Sequence, residues 1–162
     1  MVHVPAPGLA PTSLAAGPYA PAGASISVLY IEDNPANVEV VSRFLRGRPN
    51  TRLRSEASGR AGIECAARDM PDIILLDLHL PDIHGEQVLS ELKAEPATTA
   101  IPVVVLSADA SHGVIRRLLA GGALAYLTKP IELAELGTLL DTFAAARAKD
   151  QQPQPAARIM PA

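Results

Sequence analysis

Three nearly uninterrupted apolar runs, Ile26 to Ile31, Ile73 to Leu76 and Ile101 to Leu106, most narrow the folds open to this chain. Val103, Val104 and Val105 stand in sequence, and a β-branched run without polar alternation describes a strand covered on both faces. Such strands pair in parallel, and parallel neighbours need crossover helices between them. Stretches of helical period fill the intervals: Pro35 to Arg46, Gly59 to Arg68, Gly85 to Ala94 and His112 to Ala120, with Leu133 to Arg147 last. Thr51 to Glu56 alternates and is more polar, which suits an edge strand, and Ala123 to Thr128 is a fifth short run. Asn34 before Pro35 is a cap followed by proline at the first helical position, Ser58 can cap the second helix and His84 the third, and Gly47, Gly121 and Gly122 supply stops. The order is (βα)5, and right-handed crossovers turn it into an α/β fold, a doubly wound five-stranded parallel sheet. Ligands of such sheets gather beyond the carboxyl ends of the strands, where the strand order reverses.

Composition sets the boundaries. Pro5, Pro7, Pro11, Pro18 and Pro21 sit among Ala and Gly and offer little to bury, so residues 1–24 are expected to be a disordered tail or linker. Gln151, Gln152, Pro153, Gln154 and Pro155 give residues 149–162 the same character, leaving 25–148 as one domain. Of the whole chain, 48% is hydrophobic and 19% charged, a globular balance. Seventeen acidic against 14 basic residues argue against broad phosphate neutralisation, so direct DNA binding is not expected. A lone Cys65 cannot staple the chain, fits a buried packing role, and suits a reducing compartment. No basic leader with an apolar run and no membrane-length apolar stretch occurs, so the expected location is the cytoplasm, without membrane insertion.

The residues at the strand ends are Glu32 and Asp33 after the first, Asp77 after the third, Ser107 after the fourth and Lys129 after the fifth. Singly, each has a structural explanation in a turn, a cap or a solvated charge. Together, three carboxylates in one crevice repel and call for a neutralising cation. An oxygen-only donor set suits Mg2+ rather than Zn2+, and His79 and His84 lack a further His or Cys at ligand spacing. A divalent cation, a carboxylate, a hydroxyl and an ammonium describe phosphoryl chemistry: Asp77 as acceptor, with Lys129 and Ser107 on the phosphoryl oxygens.

With these residues in place, the stretch from about Ser25 to Arg147 resembles the CheY-like receiver domain of two-component response regulators. The likeness rests on Glu32 and Asp33 in VLYIEDNPAN, Asp77 with Pro81 and Gly85 in DIILLDLHLPDIHG, Ser107 in IPVVVLSAD, and Tyr126 and Lys129 in ALAYLTKP. It implies the flavodoxin-like strand order 2-1-3-4-5. It also implies that Asp77 is the phosphoacceptor, that Glu32, Asp33, Asp77 and the backbone carbonyl of His79 hold Mg2+, and that Ser107 and Lys129 assist. Tyr126 would be the aromatic switch, and the Lys129–Pro130 bond the family's cis peptide. His84 stands where the family carries an acid before the third helix, and His79 and Asp109 flank the phosphoryl site.

The resemblance further implies a donor, a histidine kinase or phosphotransfer protein, and a downstream protein docking on the face of the fourth helix, fifth strand and fifth helix. The expected function is a phosphorylation-dependent signalling switch in a two-component or phosphorelay system, with no output domain in the chain and no turnover of an external substrate. A receiver at the C-terminal end of a hybrid histidine kinase and a non-phosphorylated interaction scaffold are the alternatives; the scaffold would lack an acceptor or lysine, and both are present. An aspartate-nucleophile phosphatase would want a second carboxylate where His79 stands, and a flavin-binding domain would not place Glu32 and Asp33 after the first strand. Seven arginines between Arg43 and Arg68 face only Glu56 and Glu64, an excess expected to be a solvated face and otherwise a docking surface for an acidic partner.

Overall fold

The computed structural model describes residues 25–150; the two expected tails lie largely outside the described residues. Five strands alternate with five helices: β1 Ile26–Ile31, α1 Pro35–Arg46, β2 Thr51–Glu56, α2 Gly59–Asp69, β3 Ile73–Asp77, α3 Gly85–Ala94, β4 Val103–Ser107, α4 His112–Ala120, β5 Ala125–Thr128 and α5 Leu133–Asp150. All pairings are parallel and the sheet order is β2-β1-β3-β4-β5, the flavodoxin-like arrangement. The alternating polar run is indeed at an edge, as β2.

Strand alternation divides the core into two layers. Leu29, Ile31, Ile74, Leu76, Val103, Val105 and Tyr126 point to one face, where Cys65 and Ala66 of α2, Val88, Leu89 and Leu92 of α3, and Leu118 of α4 cover them. Val28, Tyr30, Ile73, Leu75, Val104, Leu106 and Leu127 point to the other, under Val41 and Leu45 of α1 and Leu136 and Leu140 of α5. Cys65 is packed as expected, and burial pushes its thiol up to about 11, with the Asp69 carboxylate adding to the effect.

Local chemistry sets the helix ends. Asn34 accepts from the Ala36 N–H at 2.9 Å ahead of Pro35, Ser58 from Ala61 at 3.3 Å, and His84 Nδ1 from Glu86 at 3.3 Å. Gly47 and Gly121 close α1 and α4. Three boundaries differ from the sequence reading. β4 begins at Val103 rather than Ile101, because Pro102 has no N–H to give and the Ile101 N–H turns back to the Thr98 carbonyl. β5 begins at Ala125, since the Ala123 N–H is used by Leu118 to close the end of α4. α5 runs past Arg147 to Asp150, with Arg147 and Lys149 favourably placed in its last turn.

The arginine excess is largely neutralised by acids outside its own stretch. Arg43 and Arg46 pair with Glu39, Arg48 with Asp141, Arg54 and Arg68 with Asp69, and Arg60 with Glu91. The count along the chain therefore overstates the charge of that surface, and the solvated-face reading fits it better than an acidic-partner surface.

Candidate functional site

Register brings the chemistry to one row. Ile31 pairs with Leu76, so Glu32 at the end of β1 and Asp77 at the end of β3 lie side by side. Asp77 pairs with Leu106, and Ser107 pairs with Thr128, which places Ser107 and then Lys129 next along the same edge. The row crosses the gap between β1 and β3, the two strands from which the chain leaves in opposite directions, so the site lies at the switch point of the sheet.

Glu32 and Asp77 are nearly inaccessible, 2% and 3% exposed, whereas Asp33 faces solvent. Ligand oxygens from all three lie within 4.8 Å of one another. Lys129 Nζ is 2.6 Å from Glu32 Oε2 and 3.1 Å from Asp77 Oδ2. One ammonium thus answers three carboxylates, and each like-charged pair at such a separation costs about 3 kcal/mol at an effective dielectric of about 20. Burial would raise the Glu32 carboxyl, but the Lys129 ammonium, the Asn34 N–H and the Tyr30 hydroxyl outweigh it and hold the group below its ordinary range.

Asp77 Oδ1 is buried and has no hydrogen-bond partner. A lone pair so placed, beside an all-oxygen donor set, fits a hard divalent cation such as Mg2+. The remaining expected residues are at the same edge. Ser107 is fully buried, and its Oγ accepts from the Asp109 N–H at 3.1 Å, organising the loop after β4 rather than capping α4. Tyr126 is also fully buried, and its hydroxyl donates to the carbonyls of Ser107, at 3.0 Å, and Asp109. Burial raises the Tyr126 hydroxyl, so it acts as a donor. His79 is exposed at the rim, its ring edge-on to His84 with centroids 5.9 Å apart. The Lys129–Pro130 bond is cis.

Two residues escaped the sequence reading, Tyr30 within the site and Asp82 in the loop that follows Asp77. Tyr30 donates its hydroxyl to Glu32 Oε2 at 2.9 Å. The available signal was spacing: residues two apart on a strand share a face, and Tyr30 is the one polar-tipped aromatic in the run before Glu32. Asp82, in the loop after β3, accepts from the Gly59 and Arg60 N–H groups at 2.8 Å each, and these bonds, that of Arg60 foremost, bring its carboxyl down to about 2. Its target lies on α2, 22 and 23 residues earlier in the chain, beyond the reach of local pattern.

A sheet of this order, with acids at the ends of its two central strands and a lysine after the last, defines a receiver-type α/β domain. Residues 28–141 match the response regulator receiver domain family, and the chain belongs to it. It is 36% identical over 115 residues to the transcriptional regulatory protein TcrX of Mycobacterium tuberculosis, covering 70% of this chain but only 47% of TcrX, so the chain spans about half of that relative. The polar-differentiation response regulator DivK of Brucella ovis is 33% identical over 107 residues, covering 66% of this chain and 86% of DivK. The receiver domain of the sensor histidine kinase PA1611 of Pseudomonas aeruginosa, solved with a magnesium ion in its active-site cleft, superposes with a TM-score of 0.68 at 32% identity, covering 75% of this chain and 99% of that domain. The class is that of two-component signalling. Among the described residues, no helix is long and apolar enough to cross a membrane.

Proposed function

We propose that the chain is a phosphorylation-dependent signalling switch in which Asp77 accepts a phosphoryl group from the phosphohistidine of a histidine kinase or phosphotransfer protein. The observation that carries this reading is the unpartnered Asp77 Oδ1 beside Lys129 in a buried row of acids. An Asp77 carboxylate oxygen forms the new O–P bond as the donor's P–N bond breaks, and the imidazole leaves with the electron pair. Glu32, Asp33, Asp77 and the His79 backbone carbonyl are the groups that would hold Mg2+, which when bound neutralises charge on the transferring oxygens. Lys129 supplies a second positive partner and the Ser107 hydroxyl a third contact.

The product replaces one carboxylate charge by a phosphoryl group carrying more. Lys129 follows that charge away from Glu32, and Ser107 turns its hydroxyl to a phosphoryl oxygen. Tyr126, hydrogen-bonded to the carbonyls of Ser107 and Asp109, is positioned to pass this change to the face of α4, β5 and α5, where a downstream protein would dock. The chain acts as a switch in the cytoplasm and turns over no external substrate. The acceptor and lysine together favour this over a passive scaffold. Asp77→Asn is expected to abolish Mg2+-dependent labelling by acetyl phosphate; full labelling of the variant would identify another acceptor and overturn the assignment.

A further inference from the structure

The ring of Tyr30 belongs to the layer under α1 and α5, among Val28, Val41 and Leu75, yet its hydroxyl reaches the acidic row. Both oxygens of Glu32 are engaged, Oε1 by the Asn34 N–H at 3.1 Å and Oε2 by both Tyr30 at 2.9 Å and Lys129 at 2.6 Å, which leaves a lone pair on Oε1 for a cation. Of these donors, only Lys129 sits at the end of a long side chain that can turn away, and the proposed reaction draws it to the phosphoryl group. A buried carboxylate that loses its sole cation is costly to keep in place unless fixed donors remain. The Tyr30 ring is fully buried and locked by packing, so its hydroxyl is a donor fixed in place against Glu32 Oε2.

From this geometry we infer that Tyr30 is a positioning residue for Glu32: its hydroxyl holds the carboxylate at the cation site whether Lys129 is paired with it or has turned to the phosphoryl group. The inference deepens the proposed function and rests on the cation reading of the acidic row. It also accounts for the longer acid at this position. An aspartate at residue 32 would withdraw the carboxylate by about 1.5 Å, one carbon–carbon bond, and break the 2.9 Å contact with Tyr30.

The test is Mg2+ binding to the full chain, measured by calorimetry without any phosphoryl donor, for the native protein, Tyr30→Phe, Glu32→Asp and the double variant. Groups that orient a metal ligand ordinarily control affinity by about tenfold or more, so Tyr30→Phe is expected to weaken Mg2+ binding about tenfold, or about 1.4 kcal/mol. In the Glu32→Asp background the same change should do nothing further, an outcome that a purely packing role for the hydroxyl does not produce. Unchanged affinity in Tyr30→Phe, or the same loss in both backgrounds, overturns the inference. Absence of Mg2+ binding by the native protein overturns the cation reading itself, and the inference with it. A second measurement needs no variant at residue 30: with 13C at the tyrosine ζ carbons, the Tyr30 signal should move during the Mg2+ titration with the calorimetric midpoint, and a static signal overturns the inference.

Discussion

Lys129→Met removes the one cation from a row of three acids while keeping most of the side-chain volume. Its ammonium sits 2.6 Å from Glu32 and 3.1 Å from Asp77, and both carboxylates are almost fully buried. Removing one partner of a buried pair ordinarily costs about 3 to 5 kcal/mol; the Lys129 side chain is 19% exposed, which places this case at the lower end, about 3 kcal/mol. For a domain of this size that lowers Tm by about 10 °C in metal-free buffer at pH 8. The pH dependence has a definite sign. In the native protein Glu32 titrates below its ordinary value, so its contribution is present above the unfolded pKa and is lost as pH falls through the depressed folded one. Without Lys129, burial prevails and the folded pKa rises above the unfolded one, so the variant is relatively favoured at low pH and loses stability as pH rises through the raised value. The gap in Tm between the two proteins should therefore narrow steadily from pH 8 to about pH 4. Mg2+ at about 100 times its Kd should return about 2.7 kcal/mol. Thermal unfolding followed by circular dichroism across pH, with and without Mg2+, measures all three effects. A gap below about 2 °C at pH 8, one indifferent to pH, or a variant whose Tm does not rise with Mg2+ would refute the charge argument.

The parts of this molecule legible in the sequence are those set by periodicity. Uninterrupted runs such as Val103 to Leu106 announce buried parallel strands, and once the strands are parallel and the crossovers right-handed, Glu32, Asp77, Ser107 and Lys129 must share an edge. Local caps were equally readable, because Asn34, Ser58 and His84 act on neighbours two or three residues away. What stayed hidden depends on partners distant along the chain. The bond between Arg48 and Asp141 spans 93 residues and the Asp82 cap on α2 spans 23, so neither pattern nor composition reveals them. Tyr30 is an intermediate case. Its alternation with Glu32 was in plain view, but an aromatic inside an apolar run reads as core, and its ring is core; only its hydroxyl belongs to the site.

Asp109 is exposed, with its carboxylate lowered chiefly by the Ser111 N–H and its carbonyl taken by Tyr126. Asp109→Ala removes a negative charge from the approach to Asp77 and is expected to speed both labelling by acetyl phosphate and loss of the phosphoryl group, by about threefold at low salt and less at high salt. Equal rates for variant and native protein in both assays would remove Asp109 from the account. Gly85→Ala tests the backbone under Asp77. A β-carbon there would press on the Asp77 carbonyl oxygen and lie 2.6 Å from Leu78 Cα and 3.0 Å from Leu78 Cδ2. Two of these neighbours are main chain and cannot rotate away, and Gly85 is itself fixed by its N–H bond of 2.9 Å to the Leu78 carbonyl and by the His84 cap of α3. The strand end must therefore move, at a cost of about 3 kcal/mol, the upper end of ordinary overpacking, and Asp77 moves with it. Gly113→Ala is the matched control, since a β-carbon in that exposed turn of α4 meets nothing within 4 Å and should add about 0.5 to 1 kcal/mol through helix propensity. If backbone crowding at Asp77 is the governing effect, the two alanines must change stability in opposite directions in urea unfolding, and Mg2+ affinity must fall in Gly85→Ala alone; a Gly85→Ala protein as stable as Gly113→Ala would show that the strand end carrying Asp77 yields freely and is not what holds that carboxylate in place.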